Sequence, residues 1–463
     1  MSTLLQRRVA FVAALAAVVL ASAPGLDVRA QSARSGADVI NETSIRAHME
    51  FLAGDALAGR GSGTRDEWLA ATYLASHLQR WGLEPIGDDG SFVQTIDTPR
   101  GELTAPPVIS VGDKVTLTHG RDVLAQTIGT AHASGPLVKF AKGVAIPAGA
   151  VVLVLGTDLP DAAAIATAAG VLVAETEQVR ARWEATAANV RVTPQPGRPW
   201  RVSLDAKSYL ALSQTADGVV VKLDADIKPG RTWNAVGLLR GSDAKLKDEA
   251  ILLSAHLDHI GVRGTGADNI NNGADDDASG CVAVLMLAEA IATGKAPKRT
   301  IIFAFFGSEE SGGTGSRYFA DHTPIALDKI VANLQFEMLG RPDTKVPART
   351  LWLTGYERSD LGPELAKRGA RLVADPHPEQ SFFTRSDNIQ FARRGVVAHT
   401  VASYGLHKEY HTPADEIGPI DFTHMTDAIA SLVEPIRWLA NSTFKPAWNP
   451  GGQPPPAPSG RAP

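Results

Sequence analysis

Two adjacent glutamates end an apolar run in the stretch RTIIFAFFGSEESGGTGSRYF, residues 299–319. Residues 301–306 are β-branched or aromatic apart from one alanine, which predicts a strand buried on both faces. Charged side chains seldom follow such a strand unless something pairs with them. Taken alone, Glu309 and Glu310 have a simpler interpretation, a solvated loop between strand and helix. Open α/β sheets, however, bind their ligands at this end of their strands.

Polar side chains follow the other predicted strands of this half of the chain in the same way. They are His256, Asp258 and His259 in HLDHIG, Asp275, Asp276 and Asp277 before a helix, Glu337 after VANLQF, and His407, Glu409, Tyr410, His411 and Asp415 in SYGLHKEYHTPADE. In a doubly wound sheet five of them would crowd one crevice: His256, Asp276, Glu310, Glu337 and His411. Three carboxylates would repel one another there unless cations neutralised them. Imidazoles mixed with carboxylates favour zinc over calcium.

A carboxylate that bridges two metals, each completed by a histidine and a further carboxylate, forms a co-catalytic dizinc site. Such metals lie about 3.5–4 Å apart and activate a shared water. Of two neighbouring glutamates, one can bind metal while the other accepts the proton of that water. The glycines of SGGTGS would let the main chain turn closely beneath the site.

The elements that must position these residues are predicted from periodicity. From Asn234 onward, near-continuous apolar strands alternate with helical patterns, which predicts a largely parallel sheet covered by helices. Residues 41–100 begin with two amphipathic helical patterns. Residues 104–230 change to short strands and turns without a cluster of catalytic residue types, and this texture predicts an inserted β-rich domain.

Both ends of the chain differ from its centre. Arg7 and Arg8, an apolar run and small residues predict a signal peptide over residues 1–30, the alternative being an uncleaved membrane anchor. The Pro/Gly-rich residues 446–463 predict a disordered tail. The predicted parallel-sheet domain is then divided into residues 31–103 and 231–445 around the insert. The single cysteine, Cys281, allows no internal disulfide and is expected to be a buried small hydrophobe. An exported protein without disulfides suits a bacterial periplasm or secretion, so a periplasmic or secreted location is predicted.

The total composition is that of a globular protein. Of the 463 residues 44% are hydrophobic and 21% charged, and the net charge is −5, which gives no nucleic-acid footprint. The remaining apolar stretches are too short for a membrane span, so no membrane association is expected after signal removal. The oligomeric state stays open.

The motifs AHLDHIG, NGADDDASG, SEESGGTGSRYF, FEMLGR and YHTPADE, in this order, resemble the dizinc aminopeptidase family that also contains glutamate carboxypeptidases and the transferrin receptor. The resemblance implies a zinc exopeptidase-like α/β fold with a protease-associated domain as the insert, and two zinc ions per chain. It implies these roles: Asp276 bridges the metals, His256 and Glu337 complete one position, Glu310 and His411 the other, Glu309 is the general base and Tyr410 steadies the oxyanion. Asp258 and Asp415 are expected to orient the ligating histidines, and Asp387 to lie near the substrate pocket. The peptide bond after Asp276 is expected to be cis.

Two positions depart from the commoner family pattern, and a third carries a variant known in relatives. Asp277 stands where Asn is commoner and adds a negative charge beside the bridging residue. Asn388 stands where many relatives have His, which leaves the substrate pocket open. Glu337, in place of Asp, is the variant known in relatives, and its longer side chain must still reach the metal.

The resulting hypothesis is an exported zinc-dependent aminopeptidase that acts on peptides through a metal-bridging hydroxide and a Glu general base. The main alternative is a carboxypeptidase, which would need a cation for the substrate carboxylate; Arg317, Arg341, Arg385 and Arg393 lie near the motifs. A glutaminyl-cyclase-type acyltransferase is disfavoured because it lacks the first histidine, present here as His256. A non-catalytic binding protein is disfavoured because the ligand set is complete.

Overall fold

The apolar runs of the sequence form the centre of a ten-stranded β-sheet. A computed structural model describes residues 36–457 apart from 114, 157, 189, 190, 193, 196, 265 and 404, and describes only the main chain of 99, 100 and 191. The strands of this sheet, numbered along the chain, are β1 (Glu84–Pro85), β2 (Val93–Leu103), β9 (Arg191–Val192), β12 (Ile227–Leu239), β13 (Ala250–His256), β16 (Thr300–Phe306), β17 (Ile330–Phe336), β18 (Leu351–Leu353), β19 (Leu372–Ala374) and β20 (Ala398–Ala402). Their order is β19-β18-β20-β17-β13-β16-β12-β2-β9, with β1 paired to β12.

The centre of the sheet is parallel and its outer strands are mostly antiparallel. Strands β20, β17, β13 and β16 run parallel to one another, whereas β12 is antiparallel to β16 and to β2. Successive residues of β13 pack into two different apolar clusters, Ile251 and Leu253 on one face and Leu252 on the other. The predicted α/β fold with a central parallel sheet buried on both faces is therefore confirmed.

Helices cover both faces of this sheet. They are α1 (Glu42–Leu52), α2 (Arg65–Arg80), α6 (Gly280–Ala292), α7 (Thr314–His322), α8 (Leu361–Lys367), α9 (Asn388–Ala392), α10 (Phe422–Ala430) and α11 (Val433–Asn441). The first two begin as their sequence predicts, because Asn41 and Thr64 cap them through side-chain oxygens that accept N–H groups of the first turn. Helix α6 is apolar on nearly every side because it packs among α1, α2, α10 and α11 and the sheet.

A second sheet has eight strands from the middle of the chain. They are β3 (Val108–Val111), β4 (Val115–Thr118), β5 (Val123–Thr127), β6 (His132–Lys139), β7 (Val151–Val154), β8 (Gly170–Ala174), β10 (Trp200–Leu204) and β11 (Val220–Asp224), in the order β4-β3-β11-β6-β7-β8-β10-β5. Helices α3 (Glu177–Ala181), α4 (Trp183–Ala187) and α5 (Ala206–Ser213) accompany it. The sheet surrounds an apolar cluster of its own, which includes Trp200 and Leu223. These strands lie within the range predicted for the insert, and its identification as a protease-associated domain stays a prediction.

A two-stranded hairpin, β14 (Gly261–Val262) with β15 (Ile270–Asn271), completes the strands and follows β13 in the chain. Among the described residues, no helix combines the length and the apolar character needed to cross a membrane. The predicted signal peptide, residues 1–30, lies outside the described residues.

Residues 446–457 of the predicted disordered tail pack on the fold, whereas residues 458–463 lie outside the described residues. Trp448 packs against both apolar clusters of the large sheet, and its indole N–H donates to the carbonyl of Gly395 at 3.2 Å. The N–H of Asn449 donates to the carbonyl of Arg358 at 2.8 Å, and the guanidinium of Arg358 returns a bond to the carbonyl of Gly452. One aromatic anchor and main-chain hydrogen bonds thus order a segment whose Pro/Gly content predicted disorder.

Candidate metal centre

The polar residues singled out in the sequence meet at the carboxyl ends of the central parallel strands. His256 is the last residue of β13, and Glu337 directly follows β17. Glu309 and Glu310 follow β16 after a tight turn, and His411 lies in the loop beyond β20. Because parallel strands end at the same edge, side chains far apart in the chain converge here.

Asp276 lies in the middle of this group, on the turn that precedes α6. Its Oδ1 is 3.2 Å from Nε2 of His256, and its Oδ2 is 3.1 Å from Nε2 of His411. The peptide bond between Asp276 and Asp277 is cis, as expected. The two oxygens of one carboxylate therefore face two different histidines, the arrangement that a carboxylate shared by two cations requires.

Two sets of potential ligand atoms result. The first set is His256, Asp276 and Glu337, and the second is His259, Asp276, Glu310 and His411. Within each set the ligand atoms lie within 4.8 Å of one another. The structure thus brings together all five residues predicted as metal ligands and adds His259.

Several polar atoms of these sets are buried and lack a hydrogen-bond partner. They are Oδ2 of Asp276, Oε1 of Glu310, Oε2 of Glu337, Nδ1 of His259 and Nε2 of His411. Buried carboxylate oxygens without donors are costly, and a divalent cation removes that cost. Imidazole nitrogen with carboxylate oxygen is the donor mixture of zinc sites. The residues therefore fit a zinc pair.

The acid–base behaviour of the group points the same way. Burial works against a charged His411, yet Asp276 and Glu310 raise its pKa to about 9. Burial raises the pKa of Glu337 to about 7. The carboxylates thus stabilise a positive charge at this site, which either a proton on an imidazole or a metal cation can supply.

Three successive aspartates begin the turn before α6, and each has a different task. Oδ1 of Asp275 accepts the N–H of Gly340 at 2.6 Å, next to the loop that carries Glu337. The carboxylate of Asp277 accepts the N–H groups of His256, Gly280 and Met338 at 3.0–3.2 Å. Asp277, the departure from the commoner Asn, is therefore an acceptor for three main-chain donors. It holds the loops of two metal ligands around Asp276.

Asp258 and Asp415 support the site in a way that differs from the expectation. Nδ1 of His256 bonds the main-chain carbonyl of Asp258 at 3.1 Å, and since a carbonyl only accepts, Nδ1 carries the proton and leaves Nε2 free for metal. The carboxylate of Asp258 instead accepts the N–H of Glu309 at 2.9 Å and the hydroxyl of Ser62 at 2.5 Å. Asp415 accepts the N–H of Asp276 at 3.1 Å, so it positions the bridging residue rather than a histidine.

Glu309 is held on the sharp turn that follows β16. Ser308 has a positive φ of 54°, and the N–H of Gly313 donates to the carbonyl of Glu309 at 3.0 Å. Burial raises the pKa of Glu309. After burial, the charge of His256 lowers this pKa, while those of Asp387, Glu337 and Glu310 raise it.

The crevice next to Glu337 is lined by apolar and polar side chains: Met338, Trp352, Thr354, Phe382, Arg385, Ser386, Thr400, Ala402 and Tyr410. Tyr410 stacks on His411, with ring centroids 3.9 Å apart, and burial raises its phenol pKa. Asp387 is buried behind this wall and accepts the hydroxyl of Ser316, and burial raises its pKa to about 6. Asn388 donates to the carbonyl of Phe383 and accepts the hydroxyl of Thr400, one of the lining residues, at 3.0 Å.

Among the arginines near the motifs, three have assigned contacts. Arg341 is paired with Glu409 at 3.0 Å and lies 3.7 Å from Asp415, behind the bridging aspartate. Arg317 donates to the carbonyl of Gly312. Arg385 lines the crevice, with its guanidinium over the ring of Phe382.

Two buried charged residues from the amino-terminal part support the site, and the sequence reasoning assigned them no role. Arg60 donates to the carbonyls of Leu257, Asn272 and Gly273 at 2.7–3.0 Å and also to that of Leu52. Through them it joins the loop after β13 to the turn before Asp276.

Glu67, on α2, accepts the N–H of Ser308 at 2.9 Å, the hydroxyl of Thr232 at 2.7 Å and the N–H of Gly63 at 2.7 Å. It therefore supports the turn that carries Glu309. The only local signal for either residue was a charge within or beside a Gly-rich segment, GRGSGT.

The family comparison agrees with this geometry. The model of the family described as Peptidase family M28 matches residues 234–434, the segment that holds every residue of both ligand sets. Leupeptin-inactivating enzyme 1 of Streptomyces exfoliatus is 30% identical over 147 residues, 31% of this chain and 30% of that protein. A vacuolar membrane protease of Clavispora lusitaniae is 37% identical over 214 residues, 46% of this chain and 19% of that protein. The chain thus spans less than a third of the length of these curated relatives.

Solved structures share the fold over most of the chain. A zinc aminopeptidase from Bacillus subtilis aligns with a TM-score of 0.53 and 18% identity, covering 87% of this chain and 96% of that one. An aminopeptidase from Aneurinibacillus sp. strain AM-1 aligns with a TM-score of 0.51 and 17% identity, covering 88% and 95%. At this identity the likeness concerns the fold.

Proposed function

We propose that the protein is a zinc-dependent aminopeptidase, which removes residues from the amino terminus of peptides. The match of the model for Peptidase family M28 to residues 234–434 supports this proposal. The observation that carries the proposal is the position of Asp276, whose two carboxylate oxygens face His256 and His411 at 3.2 and 3.1 Å. One carboxylate shared by two histidine–carboxylate groups is the donor arrangement of a co-catalytic metal pair.

The residues that would hold two zinc ions are His256, Asp276 and Glu337 at one position, and Asp276, Glu310 and His411 at the other. Zinc bound there supplies polarisation of the scissile carbonyl and lowers the pKa of a water molecule. Glu309 accepts the proton of the attacking water and then delivers it to the leaving amine. Burial raises the pKa of Glu309, which makes its carboxylate a stronger proton acceptor than an exposed one.

The crevice also supplies groups for the two ends of the scissile residue. The acidic surroundings of Glu309 and Glu337 suit a free α-ammonium group, which favours the amino terminus of a peptide. Burial raises the pKa of the Tyr410 phenol, so this hydroxyl stays protonated and can donate to the carbonyl oxygen as negative charge develops there. Tyr410 lies on the crevice wall next to Glu337 and His411.

Carboxypeptidase activity is the second candidate, and one observation favours it. Arg385 lines the crevice beside Glu337 and Tyr410, where a guanidinium could bind a free carboxylate. The same guanidinium would equally suit an acidic side chain of an aminopeptidase substrate. The direction of cleavage decides between the two activities.

We also propose that the protein is exported and acts on peptides outside the cytoplasm, from the signal-like pattern of residues 1–30. The test of the activity is mass spectrometry of an unblocked mixed peptide incubated with the zinc-loaded protein and with a chelated control. Stepwise loss from the amino terminus, abolished by the chelator, is the expected result. Loss from the carboxyl terminus would replace the proposal by the carboxypeptidase, and no cleavage across a broad peptide set would refute both.

A further inference from the structure

The two ligand sets are unequal, and the difference is His259. The first set has three residues and the second has four. In the second set Nδ1 of His259 lies 3.0 Å from Oε1 of Glu310 and 3.6 Å from Oδ2 of Asp276. Nε2 of His411 lies 2.9 and 3.1 Å from the same two oxygens.

These distances are those between the corners of a zinc tetrahedron. Ligand atoms about 2.0–2.1 Å from a tetrahedral zinc ion lie about 3.3 Å from one another. Four measured pairs fall between 2.9 and 3.6 Å. Each of the four atoms is buried without a hydrogen-bond partner. We propose that His259 is a fourth protein ligand at the position of Glu310 and His411, so that the two metal positions differ in coordination.

The fold holds His259 in place for this role. Its N–H donates to the carbonyl of Arg60 at 3.1 Å, and its carbonyl accepts the N–H of Ser62 at 3.3 Å. Its ring lies over Gly273, where an added Cβ would come within 2.5 Å of the imidazole. The ring also meets that of His411 edge to face, with centroids 5.3 Å apart. These contacts fix the main chain and hold the ring beside Gly273 and His411.

The two metal positions would therefore differ in whether they can bind a further ligand. A tetrahedral zinc position with four protein ligands is closed, whereas one with three keeps a place for a further ligand. The position of Glu310 and His411 is therefore the tightly held one. The position of His256 and Glu337 has the open place, where water or a substrate oxygen can enter. This deepens the proposed function, on which it rests for the nature of the metal.

The test uses the full chain freed of metal and titrated with Co²⁺. Four-coordinate cobalt absorbs visible light far more strongly than five- or six-coordinate cobalt. The first equivalent should bind to the four-ligand position and give this strong absorption. A weak first-equivalent spectrum in the wild-type protein would overturn the proposal without any variant.

Three variants complete the test, with retained metal measured by mass spectrometry after dialysis against graded chelator. His259→Ala should weaken the first equivalent by more than about 100-fold, because even the partners of metal ligands cost about 10- to 100-fold. His424→Ala is the matched control, since His424 is buried with both ring nitrogens unpartnered and lies outside both ligand sets. It should bind cobalt as the wild type does.

His259→Asn separates ligation from a hydrogen bond to Glu310, because the amide can still donate. If this variant, or His259→Ala, keeps the affinity and spectrum of the first equivalent, His259 is not a ligand. These readouts are independent of peptide cleavage. A protein that binds metals as described and cleaves no peptide would refute the proposed function and leave this inference intact.

Discussion

The carboxyl edge of the ten-stranded sheet and the eight-stranded sheet differ in what they bury. Many ionisable side chains are buried at this edge. Those nearly inaccessible to solvent include His256, Asp258, His259, Asp275, Asp276, Asp277 and Asp415. Among the described residues of 108–224, the buried polar side chains are Ser203 and Ser208, and none of the charged ones is buried. Buried charges are stable only with fixed partners. The buried charges of the proposed site thus lie in the first region, and in the second we expect substitutions to act mainly through packing.

The substitution with the largest expected effect is Glu309→Gln. It removes the proposed proton acceptor and keeps the size of the side chain, so activity should fall by about 10²- to 10⁴-fold while both metals are retained. Peptide turnover and metal content by mass spectrometry measure the two effects. Glu184→Gln, on exposed helix α4 beside the second sheet, is the control and should change neither. A fully active Glu309→Gln protein would rule out the assigned base.

Arg60→Met should lower stability and metal affinity together. It leaves buried carbonyls of two metal-ligand loops without a donor, which costs about 2–5 kcal/mol of the free energy of unfolding. Urea unfolding and metal retention are the measurements. Arg121→Met, in the turn between β4 and β5, should leave both unchanged, because this side chain is 70% exposed in its pair with Asp122. Equal effects of the two substitutions would contradict the contrast between the regions.

Much of the fold could be predicted from the sequence, because continuous apolar runs and capped amphipathic helices are signals carried by neighbouring residues. The polar residues at strand ends could be gathered by the rule for parallel sheets. His259 was among them, but its role as a ligand beside His256 could not be predicted, since residues three apart on an extended strand point to opposite faces. Only the turn after β13 brings His256 and His259 to one side.

Long-range supports were beyond local reasoning as well. Arg60 lies 197 residues before Leu257, whose carbonyl it binds, and no periodicity signals such a contact. The order of the segment around Trp448 could not be predicted, because its Pro/Gly-rich composition indicates disorder and the sequence does not show that one tryptophan packs on the sheet. The role of Asp415 followed from a resemblance, and the structure places it behind Asp276 instead.

A pair of tryptophans sharpens the comparison further. Trp200 in the second sheet and Trp352 in the large sheet are both fully buried, and each indole donates to a carbonyl. Either change to Ala should cost about 3–5 kcal/mol of stability. Trp352 also lines the crevice beside Glu337, so Trp352→Ala should lower peptide turnover at a temperature where both variants are folded. Trp200→Ala should keep it; a Trp200→Ala protein that is folded but inactive would tie the second sheet to catalysis.

The smallest expected effect concerns pH and two histidines outside the metal centre. Burial, followed by the charges of His77 and Arg80, lowers the pKa of His48 from 6.5 to about 4. Between these values the unfolded chain binds a proton that the native protein does not, so the free energy of unfolding decreases as pH falls from about 6.5 to 4. The decrease is on the order of 1–3 kcal/mol. His119 in the second sheet is only half-buried, and burial lowers its pKa as well. Urea unfolding of metal-free protein at pH 7 and 5 should show that His48→Gln removes part of this pH dependence and His119→Gln removes less. If His119→Gln removes as much, depth of burial does not set the difference between the two regions.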